Sequence, residues 1–268
     1  MLRMALAFIK KDLLLFMSYK ANLIMQIFSI VFGVAIFYYM GEVFKGINSP
    51  VLKSYGGSYF AFLLIGMAFT DFLTISLATF NATIRENQLM GTLEIILLSP
   101  INLLEILLFS SLWSYIFTSF RFILYILIGI TIFGLEAGNM NIIGAVIVLI
   151  LSIICFMPIG IIAASIIMII KKGDPINVLF SVTSMLLGGV LYPTSVLPDW
   201  LNRVSYFLPI THSLNAMRGA ILQGYSIAQL FPEMLTLILF SIILFPLGFL
   251  SFQAAVKRTR VTGSVGHY

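Results

Sequence analysis

The sequence predicts an all-α membrane protein with six transmembrane helices, and three observations carry that prediction. Of 268 residues, 60% are hydrophobic and only 9% charged, against roughly 25% charged in a soluble domain. Mean hydropathy is +1.09. The apolar residues lie in long runs interrupted by Gly, Pro and charged residues. They do not alternate with polar ones as the spans of a β-barrel do. Water could not solvate so apolar a surface, so a soluble globular protein is excluded.

The first twenty residues place Leu2, Leu6, Ile9, Leu13 and Phe16 at helical spacing, with Arg3, Lys10, Lys11, Asp12 and Lys20 among them. That pattern predicts an amphipathic helix lying on the membrane surface. The apolar run that follows has no small-residue cleavage site, so it reads as a span rather than a signal peptide. Six segments are long enough to cross a hydrocarbon layer of roughly 30 Å: Ala21–Met40, Tyr59–Phe80, Leu104–Phe133, Ile142–Ile170, Ile176–Tyr192 and Leu230–Ala254. Residues 255–268 then form a tail, and 1–268 reads as a single transmembrane domain.

An even number of spans puts both termini on one side. With the termini in the cytoplasm, Arg3, Lys10, Lys11, Lys20, Arg85, Lys171, Lys172, Lys257, Arg258 and Arg260 are inside. Lys45, Lys53, Arg203 and Arg218 are outside, and Arg121 falls within a span. Ten against four favours cytoplasmic termini by the positive-inside rule. The net charge of +5 is therefore a topology signal and not a nucleic-acid one. The single cysteine, Cys155, excludes an internal disulfide, and His212 and His267 are too few and too far apart for a metal centre.

Between spans two and three, residues 84–100 read Ile-Arg-Glu-Asn-Gln-Leu-Met-Gly-Thr-Leu-Glu-Ile-Ile-Leu-Leu-Ser-Pro. Leu89, Leu93, Ile96 and Leu97 share one helical face, and Pro100 ends the pattern. By periodicity alone this is either a solvated connector or a docking element for a soluble partner. Glu86, then Gly91-Thr92-Leu93-Glu94, then Leu97-Leu98-Ser99-Pro100 resembles the E-x(n)-G-T-L-E-x-L-L-x-[ST]-P segment of type-2 ATP-binding-cassette (ABC) exporter permeases, with Met90 where that family has an acidic residue. The resemblance implies a coupling helix seated on a nucleotide-binding subunit, with Arg85, Glu86, Gly91, Thr92, Leu93, Glu94 and Pro100 as the coupling residues. The Gly-Thr-Leu-Glu run leans toward the drug-export branch.

After span five, Pro193, Pro198 and Pro209 forbid one continuous helix. Tyr192, Trp200, Tyr206 and Phe207 suit the membrane–water interface. Residues 193–229 therefore read as re-entrant short helices, or more plainly as an outer loop with an aromatic anchor. Tyr192, Pro193, Leu197, Pro198, Trp200, Leu201, Pro209, Ala216 and Arg218 also resemble the corresponding segment of the type-2 permeases. The whole resemblance implies a permease that works as a pair of copies, most simply a homodimer. It also implies an ABC ATPase subunit that binds the ATP and magnesium, a setting among the lipids of a prokaryotic inner membrane, and no enzymatic activity in this chain. Consistent with that division of labour, the sequence has no G-x-x-x-x-G-K-[ST] phosphate loop.

Asp71 falls near the middle of span two and Arg121 in the body of span three, while Glu105 lies near the inner end of span three. Asp71 and Arg121 each cost about 3 kcal/mol at the bilayer centre on insertion scales. They are read as an interhelical ion pair or as lining a substrate path. An apolar chain of this kind suits hydrophobic or amphipathic cargo such as a drug, a lipid or a lipid-linked molecule. An ion-coupled secondary transporter is the alternative, but it would concentrate more ionisable groups at the midplane. An intramembrane enzyme would need a nucleophile–base or paired-carboxylate set within the spans.

Overall fold

The computed structural model describes residues 2–44, 58–91, 103–135, 140–170 and 175–261. Among them the chain forms α1 (Leu2–Ser18), α2 (Lys20–Val43), α3 (Tyr59–Leu89), α4 (Leu103–Thr131), α5 (Ile142–Ile170), α6 (Pro175–Leu187), a 3-10 turn (Thr194–Val196), α7 (Asp199–Ser205), α8 (Pro209–Leu222) and α9 (Ile227–Val261). Five of these, α2, α3, α4, α5 and α9, are long and apolar enough to cross a membrane.

α3 is the axle of the bundle. Phe62, Leu63, Leu64 and Ile65 are all fully buried, and four consecutive positions cover every side of a helix. It packs against α5 and α4 above all, then α2, α8 and α6. Where α3 crosses α5 there is no room for side chains. A Cβ on Gly160 would overlap the backbone carbonyl of Ser76, with Phe80 Cδ2 only 2.8 Å away. Ser76 also receives the Tyr115 hydroxyl of α4 at 2.9 Å, so three helices meet at one point. α9 lies along α5, and a Cβ on Gly248 of α9 would stand only 3.1 Å from the Pro158 carbonyl oxygen.

Helix starts follow local chemistry. Asn141 caps α5 by accepting the Gly144 N–H at 2.9 Å. Ser226 and Gln229 cap α9 through a bond from the Ser226 N–H to Gln229 Oε1 at 2.9 Å, a serine–glutamine form of the capping box. The three prolines after α6 each precede or open a new helical piece: Pro193 the 3-10 turn, Pro198 α7 and Pro209 α8.

Several boundaries depart from expectation. Predicted span two was to end at Phe80, but α3 continues to Leu89 and stops where Gly91 takes φ +66°, the left-handed conformation glycine adopts beyond a helix end. The first six residues of the predicted coupling segment, 84–89, are therefore the last turns of α3. Predicted span five, Ile176–Tyr192, is helical only to Leu187. Thirteen residues reach about 20 Å, short of the hydrocarbon thickness of about 30 Å. α9 begins at Ile227, inside the predicted outer segment 193–229, and runs on through 255–261, which were predicted as tail.

α1 forms as its periodicity predicts but does not lie free on a surface. Phe8 packs on Phe109 at 6.2 Å, and Phe16 on Trp113 at 5.8 Å and Phe117 at 4.7 Å. The contacts are eight residues apart on both helices, so α1 runs beside α4 in the same direction.

Replacing Gly160 by Ala forces a methyl into the Ser76 backbone and should cost about 1–3 kcal/mol. Gly33→Ala, whose Cβ meets nothing nearer than Tyr125 at 4.0 Å, should be neutral or slightly stabilising. Thermal unfolding of the two variants in one detergent separates the outcomes.

Candidate functional site

The charged pair predicted within the spans is assembled. Asp71 lies twelve residues into α3, about 18 Å from its start. Its Oδ2 stands 2.9 Å from Arg121 Nη2 on α4. Tyr125, one turn further along α4, accepts from Arg121 Nη2 through its hydroxyl at 3.3 Å and hydrogen-bonds Asp71. The pair offsets the cost of two lone charges in a low-dielectric setting. It is not sealed: the Arg121 and Asp71 side chains are 23% and 28% exposed, and Arg121 Nε has no hydrogen-bond partner. The arrangement can hold a polar group against a neutral ion pair while the surrounding faces stay apolar.

The second cluster lies where α6 ends. After Leu187 the chain leaves helical geometry, and Gly189 takes φ +77°. The carbonyls of Gly189 and Val190 are thereby turned away from any helical partner. Arg218 of α8 meets both: Nη1 donates to the Gly189 carbonyl at 2.8 Å, and Nη2 to Val190 at 3.2 Å and to Phe62 of α3 at 3.0 Å. Its Cζ lies 3.4 Å from the Phe62 ring centroid, a close cation–π contact. The approach exists because Gly66 has no side chain: its Cβ would overlap the Val190 carbonyl and fall 2.8 Å from Arg218 Nη2. Arg218 is 1% exposed. Three backbone acceptors and an aromatic face replace its water, within the segment that the sequence reads as outer.

Around this knot, the Tyr192 hydroxyl donates to the Leu186 carbonyl at 2.5 Å and the Tyr59 hydroxyl to Leu191 at 2.9 Å. Pro193, Pro198 and Pro209 set the breaks already described. Trp200 projects from α7 with 68% exposure.

At the opposite end of α3, Arg85 and Glu86 are exposed on its last turns, and Gly91 has open space where a Cβ would go. Thr92, Leu93, Glu94 and Pro100 lie outside the described residues, as does His267. Among the described residues no three His, Cys, Asp or Glu side chains converge as a metal site, and Cys155 is buried as a free thiol.

The profile of the ABC-2 type transporter family matches residues 6–222, from the second turn of α1 to the last residue of α8. The chain belongs to the ABC-2 type transporter family. No curated protein matches the sequence. The protein is thus an integral membrane permease subunit of an ABC transporter, not itself catalytic, and both clusters lie inside the matched region.

Sequence reasoning missed two members of these clusters in the permease, and both members of a third contact. Tyr125 and Gly66 gave no signal beyond ordinary span residues. Glu233 on α9 and its partner His212 on α8, whose Nδ1 and Oε2 are 2.5 Å apart, lie 21 residues apart across a loop. The only available signal was one carboxylate near the start of an apolar run.

Arg218→Met should strand the Gly189 and Val190 carbonyls and cost at least about 3 kcal/mol of stability. Arg218→Lys should recover only part, since an ammonium lacks the planar fork that spans both acceptors. Thermal unfolding, with proteolysis at residues 188–198 as the local readout, measures both.

Proposed function

We propose that this permease is the transmembrane subunit of an ATP-driven exporter that moves a hydrophobic or amphipathic molecule out of the cytoplasm. A separate ABC ATPase subunit binds ATP and magnesium and hydrolyses the nucleotide. The reading rests above all on α3. One unbroken helix of 31 residues joins the exposed Arg85–Glu86 turn to the Arg218 knot, with the Asp71–Arg121 pair between them. A push delivered at residues 85–100 by the ATPase would reach the far end without passing through a flexible joint.

The rest of the proposal follows from charge and surface. The excess of Lys and Arg around both termini supports a cytoplasmic Arg85 end, and the resemblance to the type-2 permeases supports a prokaryotic plasma membrane. α2 presents an exposed apolar groove formed by Phe32, Ala35, Ile36, Tyr39, Met40 and Val43. α6 adds exposed Val178, Leu179, Val182 and Leu186. These faces support a second copy of the permease, with cargo passing between the two. The half-open Asp71–Arg121–Tyr125 cluster supplies a polar stop for the headgroup of such cargo, in line with the sparse polar groups of apolar ligand sites.

Two measurements test this. Glu86→Ala and Gly91→Pro should each reduce copurification of the ATPase subunit and drug- or lipid-stimulated ATP hydrolysis by about tenfold or more, with the permease's own unfolding temperature unchanged. Unchanged copurification in both would overturn the docking assignment. In the second, Asp71→Asn and Arg121→Gln should each lower stability, and the double variant should recover about 1–3 kcal/mol as coupling. Transport should stay impaired in all three, whereas full transport by the double variant would reduce the pair to a structural role.

A further inference from the structure

His212 sits on α8, 7% exposed, with both ring nitrogens engaged. Nε2 lies 2.9 Å from the Tyr206 carbonyl oxygen, which can only accept, so Nε2 carries a proton. Nδ1 lies 2.5 Å from Glu233 Oε2 on α9. A neutral ring protonated on Nε2 would turn a bare lone pair toward that carboxylate, so the contact requires a further proton between them. With it, the imidazolium donates on one side to the residue that follows α7 and on the other to the outermost turns of α9. A single side chain therefore fastens α7, α8 and α9 to one another.

Among the described residues, Glu233 is the charge that acts on the ring; Asp199 and Arg203 of α7 are not among the groups that shift it. α5 and α6, both packed on α8, contain no Asp, Glu, Lys, Arg or His. On α3, Asp71 is paired with Arg121. Arg218, the other charge on α8, spends its guanidinium on the carbonyls of Gly189, Val190 and Phe62. From α7 and the turn after it, the ring meets the Tyr206 carbonyl and, at 6.1 Å, the Tyr206 ring. The Phe240 ring of α9 lies at 5.9 Å. Glu233 keeps 30% side-chain exposure, so protons can reach the pair.

We infer that the His212–Glu233 contact is a proton-held latch joining the helices after α6 to α9, so that separation of this outer layer depends on the pH at that face. Burial acts against the charged ring, but the bonds to Glu233 and the Tyr206 carbonyl outweigh it and raise the His212 pKa above the ordinary 6.5. The direction of the pH effect follows. A histidine with a raised folded pKa contributes stability that is complete below about pH 6.5 and is lost as pH climbs through the folded value. The latch therefore holds in acidic surroundings and slackens as they turn alkaline. This goes beyond the transport proposal, and its test needs neither cargo nor ATPase.

Spin labels placed at Trp200 of α7 and Phe231 of α9, which are 68% and 55% exposed, read the latch directly. The full chain is held in lipid nanodiscs with Cys155 replaced by Ser, and the label separation is followed from about pH 5.5 to about pH 9.5. A single distance distribution at acidic pH should broaden to longer distances as pH rises. Glu233→Gln should move the midpoint of that change at least about one pH unit toward acid, and His212→Gln should leave the distribution independent of pH. A wild-type distribution that does not change with pH would overturn the latch. So would a Glu233→Gln midpoint equal to wild type, or a His212→Gln titration that persists. If His212→Gln fails to fold, the Glu233→Gln midpoint decides alone.

Discussion

The architecture at one end of this permease depends on a buried positive charge held by backbone carbonyls. Ending α6 at Leu187 strips the carbonyls of Gly189 and Val190 of helical partners. In a medium without water each such orphan costs several kcal/mol. Arg218 removes both costs with one group, and the same carbonyls, together with the Phe62 ring, solvate a guanidinium that would otherwise be prohibitive there. Neither half is stable alone: the break needs the arginine and the arginine needs the break. Glycine completes the arrangement, since only a missing side chain at Gly66 lets α3 come near enough to be the third partner.

That mutual dependence explains which parts of the fold could be foreseen. Prolines speak for themselves, because a missing N–H and a fixed φ act on their own neighbours whatever the tertiary context. Pro193, Pro198 and Pro209 accordingly mark the starts of separate helical pieces. The length of α6 was illegible for the opposite reason. Apolar composition runs on through Gly188-Gly189-Val190-Leu191 without a polar residue, and hydropathy does not register where carbonyls point. The decisive residue lies nearly thirty positions downstream, and no local spacing ties it to this break. The amphipathic pattern of α1 was legible, but not that its aromatic residues are spent on α4.

The candidate sites divide along the same line. Asp71 and Arg121 stand out because charges are scarce in these spans and sequential antiparallel helices are neighbours. Tyr125 does not stand out, being one of 11 tyrosines whose hydroxyl matters only once the ion pair is in place. His212 and Glu233 share no helix, no periodicity and no motif. Their meeting depends on the angle at which α8 turns back along α9, which is itself set by packing on α5. Side-chain pairs made by such returns are invisible to any reading confined to local spacing.

The long helices also differ in stiffness, in a way that bears on how the permease would move. α5 contains Pro158, and α9 contains Pro232 and Pro246. Each such residue removes one helical hydrogen bond and permits a bend. α3 contains no proline, and its one glycine is locked against Val190 and Arg218. A force on its Arg85 end therefore meets a rod whose side chains are gripped at Ser76 by α4 and α5, at Asp71 by α4, and at Phe62 by α8. Such a rod cannot yield at one point; it tilts as a body and carries its contacts with it. The Gly248–Pro158 approach lies between the two helices best able to bend, so strain from a tilting α3 would pass through α5 into α9. α9 is also the helix that Glu233 ties to α8. The stiff member and the compliant members are thus joined at both ends of the load path, which is the condition for motion at one face of the membrane to be felt at the other.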